Sequence, residues 1–101
     1  MRPAARILSD QVLTGHGCTV FVPILGGSNA TVFIAGLPAA LMGDPLMPHT
    51  IFTGDKCIPH PAMVNSGSTT VFIAGRPAAR MGDSADFGTI ISGAPNVFIG
   101  G

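Results

Sequence analysis

The 101-residue chain contains no Trp, no Tyr and no Glu; all five acids are Asp. Only 10% of its residues are charged, and five basic side chains balance the five acids to a formal net charge of zero. That balance excludes the basic footprint a nucleic-acid partner requires, and equally a polybasic membrane patch. The longest apolar run, residues 32–43, is broken by Pro38 and is too short to span a bilayer. The opening stretch, MRPAARILSD, lacks the apolar segment of a secretory signal. The expectation is therefore a cytoplasmic protein that leaves the cell, if it does, by another route. The two cysteines, Cys18 and Cys57, are too few for a disulfide framework. A single bridge between them is open but no pattern supports it, and with three His nearby metal binding is at least as good a reading.

What is abundant is equally informative. Fourteen Gly and nine Pro argue against long helices. Hydrophobic residues make up 47% of the chain and its mean hydropathy is +0.52. With so few charges, such a chain is expected to hide apolar surface against a partner. Its length fits one domain, residues 1–101.

A segment occurs twice. Residues 30–44 read ATVFIAGLPAALMGD and residues 69–83 read TTVFIAGRPAARMGD, identical at twelve of fifteen positions. Partial copies stand near both ends, PAAR-ILSD at residues 3–10 and NVFIGG at residues 96–101. An internal repeat fixes architecture before any single residue does. TVFIAG is rich in β-formers and reads as a strand ending in a turn, with Thr31, Phe33 and Ala35 on one face and Val32 and Ile34 on the other. The following PAALMGD or PAARMGD reads as a short strand closed by a Gly-Asp turn, with Asp44 and Asp83 bonding nearby backbone N–H groups. Three inserts, residues 11–29 (with a GGS turn at residues 26–28), 45–67 and 84–95, alternate with these elements. The expectation is an all-β domain of three quasi-equivalent units around a pseudo-threefold axis. Arg6, Arg76 and Arg80 read as ordinary solvated side chains.

The histidines lie in the inserts: His16 in the first, His49 and His60 in the second. If the inserts converge at one end, three imidazoles meet there. Zinc favours four nitrogen or sulfur ligands. Cys57-Ile-Pro-His60 is a C-x-x-H step, which nominates Cys57 as the fourth ligand; His16-Gly17-Cys18 makes Cys18 the alternative. A tapering β-structure runs out of core at its narrow end, and a metal ties loops together where burial cannot. Structural zinc supplies on the order of 10–16 kcal/mol of apparent binding free energy in small peptides.

The PAAR and PAAL elements at residues 3–6, 38–41 and 77–80, together with TVFIAG-x-PAA-x-MGD, GHGC and the closing SGAPNVFIGG, resemble the PAAR-repeat family over essentially the whole chain. The resemblance implies a small cone of short strands. Its base would dock on a trimeric VgrG-like β-helical spike, one copy per trimer, and its apex would carry one structural Zn²⁺. Such a cone sharpens the spike of a type VI secretion system or phage tail, meets the target membrane transiently, and in many relatives carries effector cargo. The resemblance implies His16, His49 and His60 as ligands; Phe87 stands where the family usually has its fourth ligand, a Cys, and Asp86 or water is a less favoured substitute for Cys57 or Cys18 in a structural site. The apolar Val32, Phe33, Val71 and Phe72 are candidates for the docking base. The rival from another class is a small zinc-dependent hydrolase with Asp86 as its general base, against which stand the chain's size and the lack of an H-E-x-x-H motif.

Overall fold

The computed structural model describes residues 1–26 and 32–100, and no helix occurs among them. The GGS element at residues 26–28 and the face assignment of Thr31 lie largely outside the described residues. The described residues form twelve short strands: β1 (Arg2–Pro3), β2 (Gln11–Leu13), β3 (Phe21–Pro23), β4 (Phe33–Ile34), β5 (Leu37–Pro38), β6 (His49–Phe52), β7 (Cys57–His60), β8 (Phe72–Ile73), β9 (Arg76–Pro77), β10 (Ser84–Ala85), β11 (Gly88–Ile90) and β12 (Phe98–Ile99).

Each repeat begins as a hairpin rather than as one longer strand. Phe33 pairs with Pro38 and Ile34 with Leu37; in the second copy Phe72 pairs with Pro77 and Ile73 with Arg76. The connecting residues have positive φ at both positions, 52° and 83° at Ala35 and Gly36, 52° and 79° at Ala74 and Gly75. This left-handed pair is the type I′ turn, whose twist matches that of the flanking strands. The Ala-Gly expected at a strand end is thus the turn itself. The third hairpin is assembled from the two partial copies: Pro3 pairs with Phe98 and Arg2 with Ile99.

The PAA segments close a ring. Ala5 N–H donates to Ala79 O at 3.0 Å, Ala79 N–H to Ala40 O at 2.9 Å, and Ala40 N–H to Ala5 O at 3.0 Å. Isolated bridges repeat the same cycle, Ala4 with Arg80, Arg6 with Ala39, Leu41 with Ala78. Alternation along each segment then sorts the alanines onto two sides. Ala4, Ala39 and Ala78 pack with Ile34, Ala94 and Ile99 in a core under the hairpins. Ala5, Ala40 and Ala79 pack with residues of the inserts, Val12, Val22, Ile24, Leu46, Val64 and Ile90 among them, in a second core. Ala5, Ala40 and Ala79 are all buried, and their small side chains suit the close approach of three backbones.

Beyond the ring each unit turns a corner on a buried Asp. The carboxylates of Asp10, Asp44 and Asp83 accept the backbone N–H of Arg6, Leu41 and Arg80 at 2.7–2.8 Å. Their carbonyls receive the returning chain through Ile24, Val64 and Ile90 N–H. Arg6 bonds Asp10 at 2.9 Å, Arg80 and Arg2 reach Asp83 at 3.1 and 3.4 Å, and Arg76 stands 3.9 Å from Asp44. Arg6 and Arg80 are thus not solvated; Arg80 is buried. A buried carboxylate without such a partner would be costly.

The inserts project from the second core, away from the hairpins. β10, β11, β2 and β3 form an antiparallel sheet in that order, with Val12 opposite Val22 and Ile90 on its inner face. β6 and β7 form a separate hairpin in which His49 faces His60 and Phe52 faces Cys57. The molecule measures 41 × 23 × 21 Å, an elongated shape with the three hairpins toward one end and the inserts toward the other.

Candidate metal centre

Three inserts supply one cluster. His16 comes from the loop between β2 and β3, His49 and His60 from opposed positions of the β6–β7 hairpin, and Asp86 from the turn between β10 and β11. Their ligand atoms all lie within 4.8 Å of one another. Asp86 Oδ2 is 2.6 Å from His16 Nε2 and 2.7 Å from His49 Nε2, and Oδ1 is 2.7 Å from His60 Nε2. The rings of His16 and His49 stack at 5.3 Å, with His60 edge-on to both. Burial differs: the His49 side chain is 2% exposed and that of His60 20%. A cavity of about 520 Å³, bordered by His60, Asp86, Pro61, Met63 and Phe87, opens beside the cluster.

Close backbone approach makes this convergence possible. Gly15 N–H donates to Asp86 O at 3.0 Å. A Cβ on Gly15 would run into the Phe87 carbonyl, and one on Gly88 into the Leu13 carbonyl. Asp86 and Phe87 both have positive φ, 50° and 62°, so the two-residue turn is again of the I′ kind, here without glycine.

The donor chemistry fits a metal ion. His16 Nδ1–H donates to Gly17 O at 2.9 Å, and His49 Nδ1–H to Met47 O at 2.8 Å. A carbonyl only accepts, so Nδ1 carries the proton and the neutral tautomer leaves a lone pair on Nε2. These lone pairs point at carboxylate oxygens, which are acceptors too. A cation in their midst satisfies all four groups at once, and the Nδ1 bonds are the orienting contacts that metal-bound imidazoles make. Without an ion, protons must fill that role. Burial disfavours charging His16, but the Gly17 carbonyl and Asp86 outweigh it and hold its pKa above the ordinary value. Burial likewise opposes ionising Asp86, yet bonds from His60, His16 and His49 bring its pKa below the ordinary carboxylate value.

The structure brings together the three expected histidines but not the expected cysteines. Cys57 and Cys18 are joined to each other in a disulfide, so neither offers a thiolate. The C-x-x-H step from Cys57 to His60 is a strand. Three residues along a strand put the side chains on opposite faces and about 10 Å apart, whereas a turn would have gathered them. Asp86, read from the sequence as a less favoured fourth ligand and as the rival reading's general base, fills the fourth place. The signal was present in its neighbour, since Phe87 occupies the position expected for a ligand and the carboxylate stands one residue earlier.

At the other end, Phe33 and Phe72 are each 58% exposed. Val32 is partly exposed, while Val71 packs against the core under the hairpins, which leaves it little surface for a partner. Phe98, which sequence reasoning passed over, is the third equivalent and is 48% exposed.

A family model described as the PAAR motif matches residues 14–88, a span that holds all four members of the cluster and both hairpin repeats. No curated protein matches the chain.

Proposed function

From its membership in the PAAR-motif family, to which this chain belongs, we propose that the protein forms the metal-stabilised tip of the spike of a contractile injection machine. The hairpin end is the base that sits on a trimeric VgrG-like β-helical spike, one copy per trimer, and the insert end is the point that meets the target membrane. The observation that carries this reading is the ring of Phe33, Phe72 and Phe98, three large apolar side chains at equivalent positions of three hairpins, all exposed. A monomer with threefold-repeated apolar contacts suits the blunt end of a threefold partner, and exposed aromatics of this kind anchor interfaces.

His16, His49, His60 and Asp86 would hold the ion. Three nitrogens and one carboxylate oxygen are a donor set zinc accepts. When bound, the ion supplies a cross-link among three inserts that share few buried side chains at their tips. The chain's own residues do the rest: the Nδ1 bonds aim His16 and His49, and the Asp86 turn carries the carboxylate inward. The role is mechanical, with no catalytic step.

Replacing Phe33, Phe72 and Phe98 by Asp tests the docking base. Because these side chains are exposed, the triple variant is expected to fold and melt near the wild type while losing co-purification with the spike trimer. Undiminished binding by the folded variant would remove the hairpin end as the docking surface.

A further inference from the structure

The Cys18–Cys57 bond joins the same two segments that the metal cluster joins. Cys18 stands two residues beyond His16, and Cys57 stands in the strand that ends at His60. Little else holds the His16 loop to that hairpin. Between Val12 and Val22, which anchor it at both ends, no residue belongs to either hydrophobic core. Gly15, Gly17, Cys18 and Val20 are exposed. The links across to the hairpin are one isolated bridge, Cys18 with Ile51, and long polar contacts: Thr19 N–H to Thr50 O at 3.4 Å, Thr50 N–H to Thr19 Oγ1 at 3.2 Å, and the two threonine hydroxyls 3.3 Å apart. Cys18 itself is in the left-handed region, with φ of 73°, an uncommon conformation for a residue with a side chain.

We infer that the Cys18–Cys57 disulfide is a redox-controlled clamp that positions His16 for the metal, so that oxidation of the pair tightens metal binding at the His16, His49, His60 and Asp86 cluster. The inference rests on the metal reading above and adds its regulation. The physical reason is preorganisation. With the loop tied, the ion need not pay to localise His16; with the loop free, that ordering cost is subtracted from its affinity. The cysteines act only through position, because Cys57 points away from the face that carries His60. Both are exposed, so a small disulfide such as oxidised glutathione can reach them. In that exchange the two thiols form one S–S bond and give up two electrons and two protons, and the small disulfide takes them up to become two thiols. Linkage makes the effect reciprocal: an ion that prefers the clamped form also stabilises the bond.

Co²⁺ is a suitable probe because its absorption reports donor type as well as occupancy. Titrations would compare the oxidised wild type, the wild type reduced with a phosphine, and the Cys18→Ser/Cys57→Ser variant. Far-ultraviolet circular dichroism of each metal-free form would verify the fold. The clamp predicts Co²⁺ binding weaker by on the order of tenfold in the reduced and variant forms, with the same ligand-field spectrum at saturation. It also predicts that bound Co²⁺ shifts the thiol–disulfide equilibrium of the wild type in a glutathione redox buffer toward the disulfide, a readout that does not depend on the variant folding. Equal or tighter binding on reduction, a thiolate-to-cobalt charge-transfer band in the reduced protein, or a thiol–disulfide equilibrium indifferent to Co²⁺ would overturn it. Binding equal in all three forms defeats the clamp alone; no binding by the oxidised wild type defeats the metal reading along with it.

Discussion

At the scale of single residues, Asp86 and His16 make the centre sensitive to pH in opposite ways with and without an ion. In the metal-free protein the raised pKa of His16 means that the folded form holds its proton more tightly than the unfolded form does. That stabilisation is full below the ordinary histidine value of about 6.5 and fades as pH rises through the raised one. Asp86, with a lowered pKa, contributes above the ordinary carboxylate value of about 4 and loses that contribution as pH falls through the lowered one. The metal-free pair is therefore most stabilising between about pH 4 and 6.5. The loaded centre needs unprotonated Nε2 atoms, so protons compete with the ion over the same range. The gap in melting temperature between zinc-loaded and chelator-treated protein is expected to narrow from pH 7.5 to pH 5.5, as thermal melts across that range would show. His49→Ala removes the most enclosed imidazole, and its melting should become nearly indifferent to chelator.

Among the elements, the hairpin turns decide where each repeat reverses. Ala74 occupies the first position of its I′ turn, at φ 52°, where a Cβ costs about 1–2 kcal/mol and Asn is favoured. Ala74→Asn is expected to stabilise the protein by about 0.5–1 kcal/mol, relieving part of that strain, as a shifted denaturant midpoint with unchanged m-value would report. The β10–β11 hairpin has the opposite sensitivity. Gly88 faces the Leu13 carbonyl with no room for a side chain, and the obstacle is backbone. Gly88→Ala should cost about 1–3 kcal/mol and weaken zinc retention, because the hairpin that carries Asp86 must shift away from His16. Equilibrium unfolding and zinc competition would measure the two effects separately.

For the molecule as a whole, the alanine ring divides the labour. One core lies under the hairpins and the other under the inserts, so the hairpin end and the histidine end are separately supported. Removing the ion should soften the point and spare the base. An ion present at a hundred times its Kd stabilises by about 2.7 kcal/mol. At 4–8 °C per kcal/mol for a domain of this size, chelation should lower the melting temperature by roughly 10–20 °C. Below that lowered midpoint, the chelated protein should still co-purify with the spike trimer, in contrast to the variant that lacks the phenylalanine ring. Scanning fluorimetry and pull-down on one sample would check both.

Much of this architecture is legible in the residues alone. The duplicated segment predicts three equivalent units, and the inserts predict where the histidines gather, because both depend on local pattern repeated along the chain. Three features were decided only by tertiary structure. The two partial copies become one hairpin because Arg2–Pro3 and Phe98–Ile99 meet across the base, a pairing between distant segments that no local pattern encodes. Asp86 becomes the fourth member of the cluster because Gly15 and Gly88 allow two backbones to touch. Cys57 leaves the metal for Cys18 because Cys57–His60 extends as a strand: C-x-x-H states a spacing, and only the conformation of the segment decides whether that spacing gathers two side chains or sets them on opposite faces.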